Sequence, residues 1–499
     1  MFRLFFVSLT AVLVLNGCER SAEMGETTPS PPAIPAAASP LEAVHTPAAP
    51  ESMPSAMPQP VSPSAEEPAP APLVQKIYRP SDTRPRRDDA RAEEFGIRKY
   101  ASQRLILYTD LDPEIAEPLP ALIDRVYETW VDYFGELPPD REGTPYQMTG
   151  YLIDQPQRFV EAGMLPEGPP MFRFGRHLGA EFWMNKMNSD YYRRHLLIHE
   201  ATHCFMTATL QQYPPRWYLE GMAEYFGTHR LHPDGTVTFG VMPEQSDEFP
   251  GLGRIELIQQ QLVQQQFASL SRLGTYSPAD WDQPLPVPYA WSWAICLFLD
   301  QHPRYQDRFR QLGQHMEGND FLRFLDEHFA PEKDLLEAEW SEFSRRLVYG
   351  MDVAANAFQT HSGPLQSLET PVRVSVEAAK GWQSTGLLIP AGITVSIHAS
   401  GEVILDQQPR PWVSEPQGIS IRYAAGEPIG RLLAAVLSPS DPEMPSTFPI
   451  TPIGQSGTLS SQRPGELWLR INDLGNGLTN NSGTYEVEIR RSEPPAIVE

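Results

Sequence analysis

The sequence predicts an α+β domain followed by an all-β sandwich, both behind a long segment that builds no core. Three observations predict this. A mixed run of strands and helices begins near Phe95 and gives way to apolar helices after Glu220. From about Gly363 the texture changes to short alternating runs divided by turn residues, the pattern of a sandwich. Ahead of both, 14 prolines fall between Pro29 and Pro72 with almost no aromatic residues. Such a stretch has too little apolar surface to fold.

At the N-terminus, Met1-Phe2-Arg3 precedes an apolar run from Leu4 to Leu15 and then Asn16-Gly17-Cys18. One positive charge, a short apolar core and a small residue before cysteine describe a secretory signal, too short for a stable spanning helix. Leu15-Asn16-Gly17-Cys18 resembles a bacterial lipoprotein cleavage box. The resemblance implies a signal peptide over 1–17, cleavage before Cys18, and lipidation of Cys18 that holds the protein on a membrane of the bacterial cell envelope. An ordinary cleaved signal is the other reading, and both predict export. Residues 18–92 read as a disordered Pro/Ala-rich linker of polyproline character. Only Cys204 and Cys296 then remain, both inside apolar helix patterns, so they read as buried small hydrophobes. A net charge of −24, from 63 acidic against 39 basic residues, excludes nucleic acid as a main partner.

Residues 93–355 form the predicted α+β domain. Arg104 to Thr109 reads as a strand, Asp112 to Phe134 as an amphipathic helix, Gln147 to Ile153 as a second strand and Gly179 to Met184 as a third. Helices follow over Ile255–Phe267, Tyr289–Asp300, Arg304–Met316 and Leu335–Leu347.

Inside this domain stands His199-Glu200-Ala201-Thr202-His203. On a helix, residues i and i+4 share a face, so the two histidines can close on one metal ion. Glu200 projects beside them, where it can take a proton from an attacking water. Glu220 follows seventeen positions after His203, in Trp217-Tyr218-Leu219-Glu220-Gly221-Met222-Ala223-Glu224. Glu224 faces the same way as Glu220 and can accept the free imidazole N–H of His199. The run His195–Met206 is otherwise apolar, and burying imidazoles and a carboxylate there without a partner is costly.

Together the two segments resemble the gluzincin metallopeptidases, in their peptidase MA-like branch, closely over about 195–227 and loosely from about 100 to 350. The resemblance implies a zincin-like fold, zinc held by His199, His203 and Glu220, and Glu200 as general base and acid. It also implies a sheet whose edge strand pairs with an extended substrate, for which Gly179-Ala180-Glu181-Phe182-Trp183 is the candidate. Such enzymes place a tyrosine or histidine against the oxyanion, and Tyr289 is the candidate here, with a packing tyrosine as its alternative. His195, one turn before His199, reads as a satisfied helix histidine.

The tail, residues 366–495, ends in Leu467-Trp468-Leu469-Arg470-Ile471-Asn472-Asp473 and Asn480-Asn481-Ser482-Gly483-Thr484-Tyr485. Over about 370–491 it resembles the PA-I galactophilic lectin-like domain. That likeness implies a calcium ion held by Asp473, Asn480 and Asn481, a set chemically suited to a hard cation. Gly477 replaces the threonine whose hydroxyl recognises sugar there, so carbohydrate binding is left open beside calcium binding. An Asn/Gly-rich turn with no ion is the plainer alternative. The alternating strands are expected to fold on their own.

The sequence thus points to an exported, lipid-anchored zinc metallopeptidase acting on peptide or protein, with an accessory calcium- or carbohydrate-binding module. The alternative is a catalytically silent cell-surface binding protein or adhesin. Retention of Glu200 beside the histidines favours the enzyme.

Overall fold

The first sheet is assembled around three strands that are buried almost throughout. The structure, a computed structural model, describes residues 78–165, 174–246, 253–283 and 286–492. The signal segment, Cys18 and the linker up to residue 77 lie outside the described residues. Strands β1 (Arg98–Ala101), β2 (Leu105–Thr109), β3 (Met148–Ile153), β4 (Gly175–Leu178) and β5 (Glu181–Asn185) form a sheet of order β1-β2-β3-β5-β4. The three central strands run parallel, and β1 and β4 are antiparallel edges. Every residue of β3 is buried, as expected of a strand covered on both faces.

The edge strand therefore differs from the expected one. Phe182-Trp183-Met184 is buried between β3 and β4, and the edge is Gly175-Arg176-His177-Leu178. A continuous apolar run suits an interior strand, whereas charge and partial exposure mark an edge.

Folding also begins earlier than expected. Within the segment read as linker, Arg79 pairs with Asp140 at 3.3 Å and Arg84 donates to Thr149 at 3.2 Å. Arg87 binds the Tyr151 hydroxyl at 2.6 Å and Glu181 at 3.1 Å. Helix α1 (Asp89–Glu94) follows, capped by Asp88. These arginines tie residues 78–92 to the sheet. The proline content on which the linker reading rests is silent about them.

The predicted helix over 112–134 is two pieces, α2 (Pro113–Ala116) and α3 (Leu119–Phe134), divided at Pro118, which has no N–H to continue the ladder. After α4 (Pro156–Glu161) come α5 (Asp190–Met206) and α6 (Arg216–Gly227), then a hairpin of β6 (His229–Leu231) and β7 (Val237–Phe239). Helices α7 (Arg254–Val263), α8 (Leu270–Leu273), α9 (Pro278–Trp281), α10 (Val287–Gln301), α11 (Gln306–Leu312), α12 (Gly318–Phe329), α13 (Lys333–Arg346) and α14 (Val353–Asn356) complete this part. Helix α12 is absent from the sequence expectation, although Phe321, Phe324 and Phe329 mark its buried face. No helix among the described residues is long and apolar enough to cross a membrane.

The tail is a β-sandwich, as expected. One sheet joins β8 (Gln366–Ser367), β10 (Gln383–Ile389), β14 (Gln417–Ala424), β15 (Glu427–Leu437), β16 (Ile450–Pro452) and β18 (Gly465–Ile471). The other joins β9 (Val372–Glu377), β11 (Thr394–Ser400), β12 (Val403–Ile404), β13 (Val413–Ser414), β17 (Ser456–Ser460) and β19 (Ser482–Arg491). Its core includes Val376, Leu387, Val395, Leu432, Leu467 and Tyr485. The sandwich does not stand apart. Phe358, Trp382, Leu433 and Trp468 pack with Ala338 of α13. Beneath them, buried Arg346 donates to the Asn472 side chain and to the Asp473 carbonyl, both at 3.0 Å.

Candidate metal centre and cleft

Two helices bring the predicted residues together. The Ser189 side chain accepts the Tyr192 N–H and caps α5. Helix α6 starts after Pro215 and crosses α10 at Gly221, where a Cβ would stand 2.5 Å from the Ser292 carbonyl and 2.6 Å from Cys296 Sγ. Only glycine permits that approach, and it seats Glu220, the residue before it, against α5.

His203 Nε2 lies 3.1 Å from His199 Nε2 and 3.2 Å from Glu220 Oε2. His199 Nε2 is 3.5 Å from the same oxygen. Three atoms so spaced mark one face of a tetrahedron whose centre lies about 2.0 Å from each, close to the bond length of nitrogen and oxygen ligands to a metal ion such as zinc. The set can hold a metal ion, and its donor chemistry fits one. Burial alone would raise the Glu220 carboxyl, but His203 and His199 hold it well below the usual carboxylate range.

Glu200 is 5 % exposed. Burial raises its pKa, His199 and His203 oppose the rise, and Glu220 adds to it. A carboxylate held in this way is suited to take and release a proton. Its place is cleared by Gly175 on the edge strand, where any Cβ would run into the Glu200 carboxylate.

Glu224 Oε1 lies 3.3 Å from His199 Nδ1, a charge contact without full hydrogen-bond geometry. Glu224 also lies 3.2 Å from His195 Nε2, and Arg254 contacts its carboxylate. Arg254 Nη2 donates to His195 Nε2 at 2.9 Å. Since arginine only donates, that ring nitrogen presents its lone pair. Burial, then Arg254, push the His195 imidazole well below its ordinary pKa. His195, His199 and Glu224 are themselves close enough to hold an ion, but here the Arg254 guanidinium supplies the cation.

Tyr289 lines a cleft of about 410 Å³ together with His199, Glu200, Tyr192, Leu257 and Trp281. Its ring centre is 6.5 Å from that of His199. Burial, then the Glu220 carboxylate, raise its phenol pKa, so it stays a proton donor. His177 of the edge strand stacks on His203 with ring centres 4.6 Å apart, and burial holds it neutral, with a pKa lowered to about 3.

Gly175, His177, Arg216 and Arg254 were not foreseen. Arg216 was within reach, since it stands one helical turn before Glu220. The others meet the site only through tertiary packing.

In the sandwich, Asp473 Oδ2 accepts from Asn481 Nδ2 at 2.9 Å, and Asp473 Oδ1 accepts the Leu474 N–H at 2.7 Å. Asn481 Oδ1 is buried without a partner. Asn480 ends the 3-10 turn Leu478–Asn480 and is exposed. Burial raises the Asp473 carboxyl, while Asn481, the Leu474 N–H, Arg470 and Arg346 pull it back.

No known family and no curated protein matches the chain. Among solved structures it is similar to the EclA N-terminal domain, a PllA-like lectin, at 22% identity and TM-score 0.20, covering 25% of this chain and 99% of that one. It is also similar to the IMPa metallopeptidase from Pseudomonas aeruginosa, at 15% identity and TM-score 0.14, covering 55% of this chain. The same enzyme in complex with an O-glycopeptide gives 14% identity, TM-score 0.15 and 50% coverage. The chain spans about a quarter of that metallopeptidase's length, 24% to 27%. Scores this low carry no argument, so the functional reading rests on the site.

Proposed function

We propose that this protein is an exported, lipid-anchored zinc metallopeptidase with a zincin-like, gluzincin domain and an accessory calcium- or carbohydrate-binding sandwich. One observation carries the reading. Three converging donors, His199 Nε2, His203 Nε2 and Glu220 Oε2, lie 3.1–3.5 Å apart beside a buried carboxylate, Glu200.

Zinc, when bound there, polarises the scissile carbonyl and the attacking water. The chain supplies the rest. The exposed edge of β4 offers backbone groups to an extended peptide. Glu200 takes a proton from the water and returns it to the leaving amine. Tyr289 donates to the oxygen on which charge develops. Glu224 orients His199. For the sandwich, the unpartnered Asn481 Oδ1 next to Asp473 supports a cation site. The leading residues 1–18 support export and anchoring through their sequence alone.

Zinc per chain tests the reading. The wild type should carry one ion and His203→Ala should lose it. A wild type without zinc overturns the proposal.

A further inference from the structure

Arg216 opens α6, one helical turn before Glu220. Its Nε donates to Glu220 Oε1 at 3.3 Å, whereas the other oxygen, Oε2, faces the histidines. Its guanidinium lies 4.6 Å from the centre of the Trp281 ring, a face that holds a planar cation in place. Tyr289 meets the same indole edge-on, with ring centres 5.1 Å apart. The Arg216 side chain is 46% exposed, and an exposed pair one helical turn apart contributes little to stability. Its position beside the cleft needs another explanation.

A carboxylate can bind a cation through one oxygen or two. A catalytic zinc has three protein ligands and an open position, which a second oxygen from Glu220 would fill. We propose that Arg216 is a positioning residue that holds Glu220 Oε1 away from the metal, so that Glu220 is a one-oxygen ligand and the position facing Tyr289 and the substrate stays open. The inference rests on the metallopeptidase reading above.

The test compares wild type, Arg216→Met and Arg216→Lys for zinc affinity by chelator competition and for the visible absorption of the cobalt(II)-loaded protein. Arg216→Met should bind zinc at least as tightly as wild type, because Glu220 gains a second bond to the ion and a neighbouring positive charge is lost. Its cobalt absorption should weaken as four ligands become five. Arg216→Lys keeps the charge without the planar fork and should fall between. Weaker zinc binding or an unchanged cobalt spectrum in Arg216→Met overturns the proposal. A wild-type chain that takes up neither metal overturns instead the reading on which it rests.

Discussion

Glu200 and Gly175 show how closely the buried carboxylate is fitted against the edge strand. Replacing Glu200 with Gln keeps size and burial but removes the proton acceptor. Hydrolysis of a peptide library should fall by several orders of magnitude while zinc content stays at one per chain. Near-wild-type turnover would remove Glu200 from the mechanism. Gly175→Ala makes the complementary test. Its methyl group must displace the Glu200 carboxylate, and a misplacement of about 1 Å can cost about a hundredfold in rate. Metal binding by His199, His203 and Glu220 should be unaffected, because the atoms a Gly175 Cβ would meet belong to Glu200. The pair His199 and His203 was legible because helical spacing alone puts both on one face, whereas Glu220, on another helix, was assigned through the resemblance. Gly175 was not legible, since its role depends on how β4 passes over α5, and no local pattern encodes that.

At the scale of elements, Arg254 joins three helices, reaching from α7 to Glu224 on α6 and His195 on α5. Breaking a buried ion pair leaves the partner charge unsatisfied, so Arg254→Met should lower unfolding stability by about 3 kcal/mol, measured by urea denaturation. Glu224→Ala should loosen zinc by about tenfold to a hundredfold, and unchanged affinity would reduce Glu224 to a structural partner of Arg254. Helix α5 was readable from its i, i+4 histidines and α10 from a nearly unbroken apolar run, whereas α12, with the clearest apolar face, was missed. The edge strand was misread because Phe182-Trp183-Met184 carries strong β character, yet that apolarity belongs to a strand buried on both faces. Gly179, with φ +58°, is the turn before β5 and not part of it.

At the scale of the whole molecule, the sandwich is joined to the helices by buried charge. Arg346 pairs with Glu342 at 3.1 Å, and Trp382 of the tail donates to the same carboxylate at 2.9 Å. Burial alone would raise the Glu342 carboxyl, but Arg346, Arg345 and Trp382 hold it below its ordinary value of 4.5. A depressed carboxylate contributes stability that is fully present above the unfolded pKa and is lost as pH falls through the lower folded value. Acid unfolding of Glu342→Gln should therefore vary less with pH below 4.5 than that of wild type. The sandwich itself was legible from alternation, but its docking was not, because Trp382 and Trp468 read equally well as residues of a free-standing core. A fragment of residues 366–499 should fold and yet self-associate through the uncovered Trp382 and Trp468, as sedimentation can show. Calcium should raise the melting temperature of the full chain, and Asp473→Ala should remove that increment. A calcium-insensitive wild type would leave the Asn/Gly-rich turn as the better description.

The arginine clasp at the start of the folded body has a mechanical consequence. Any pull on the chain ahead of Tyr78 is taken up first by Arg79 on Asp140, then by Arg84 on Thr149 and Arg87 on Glu181. Thr149 and Glu181 belong to the inner strands β3 and β5, so the load enters the middle of the sheet before it can reach the helices that hold the histidines. A tether fastened there could be stretched, bent or jostled while the spacing of His199, His203 and Glu220 stayed the same.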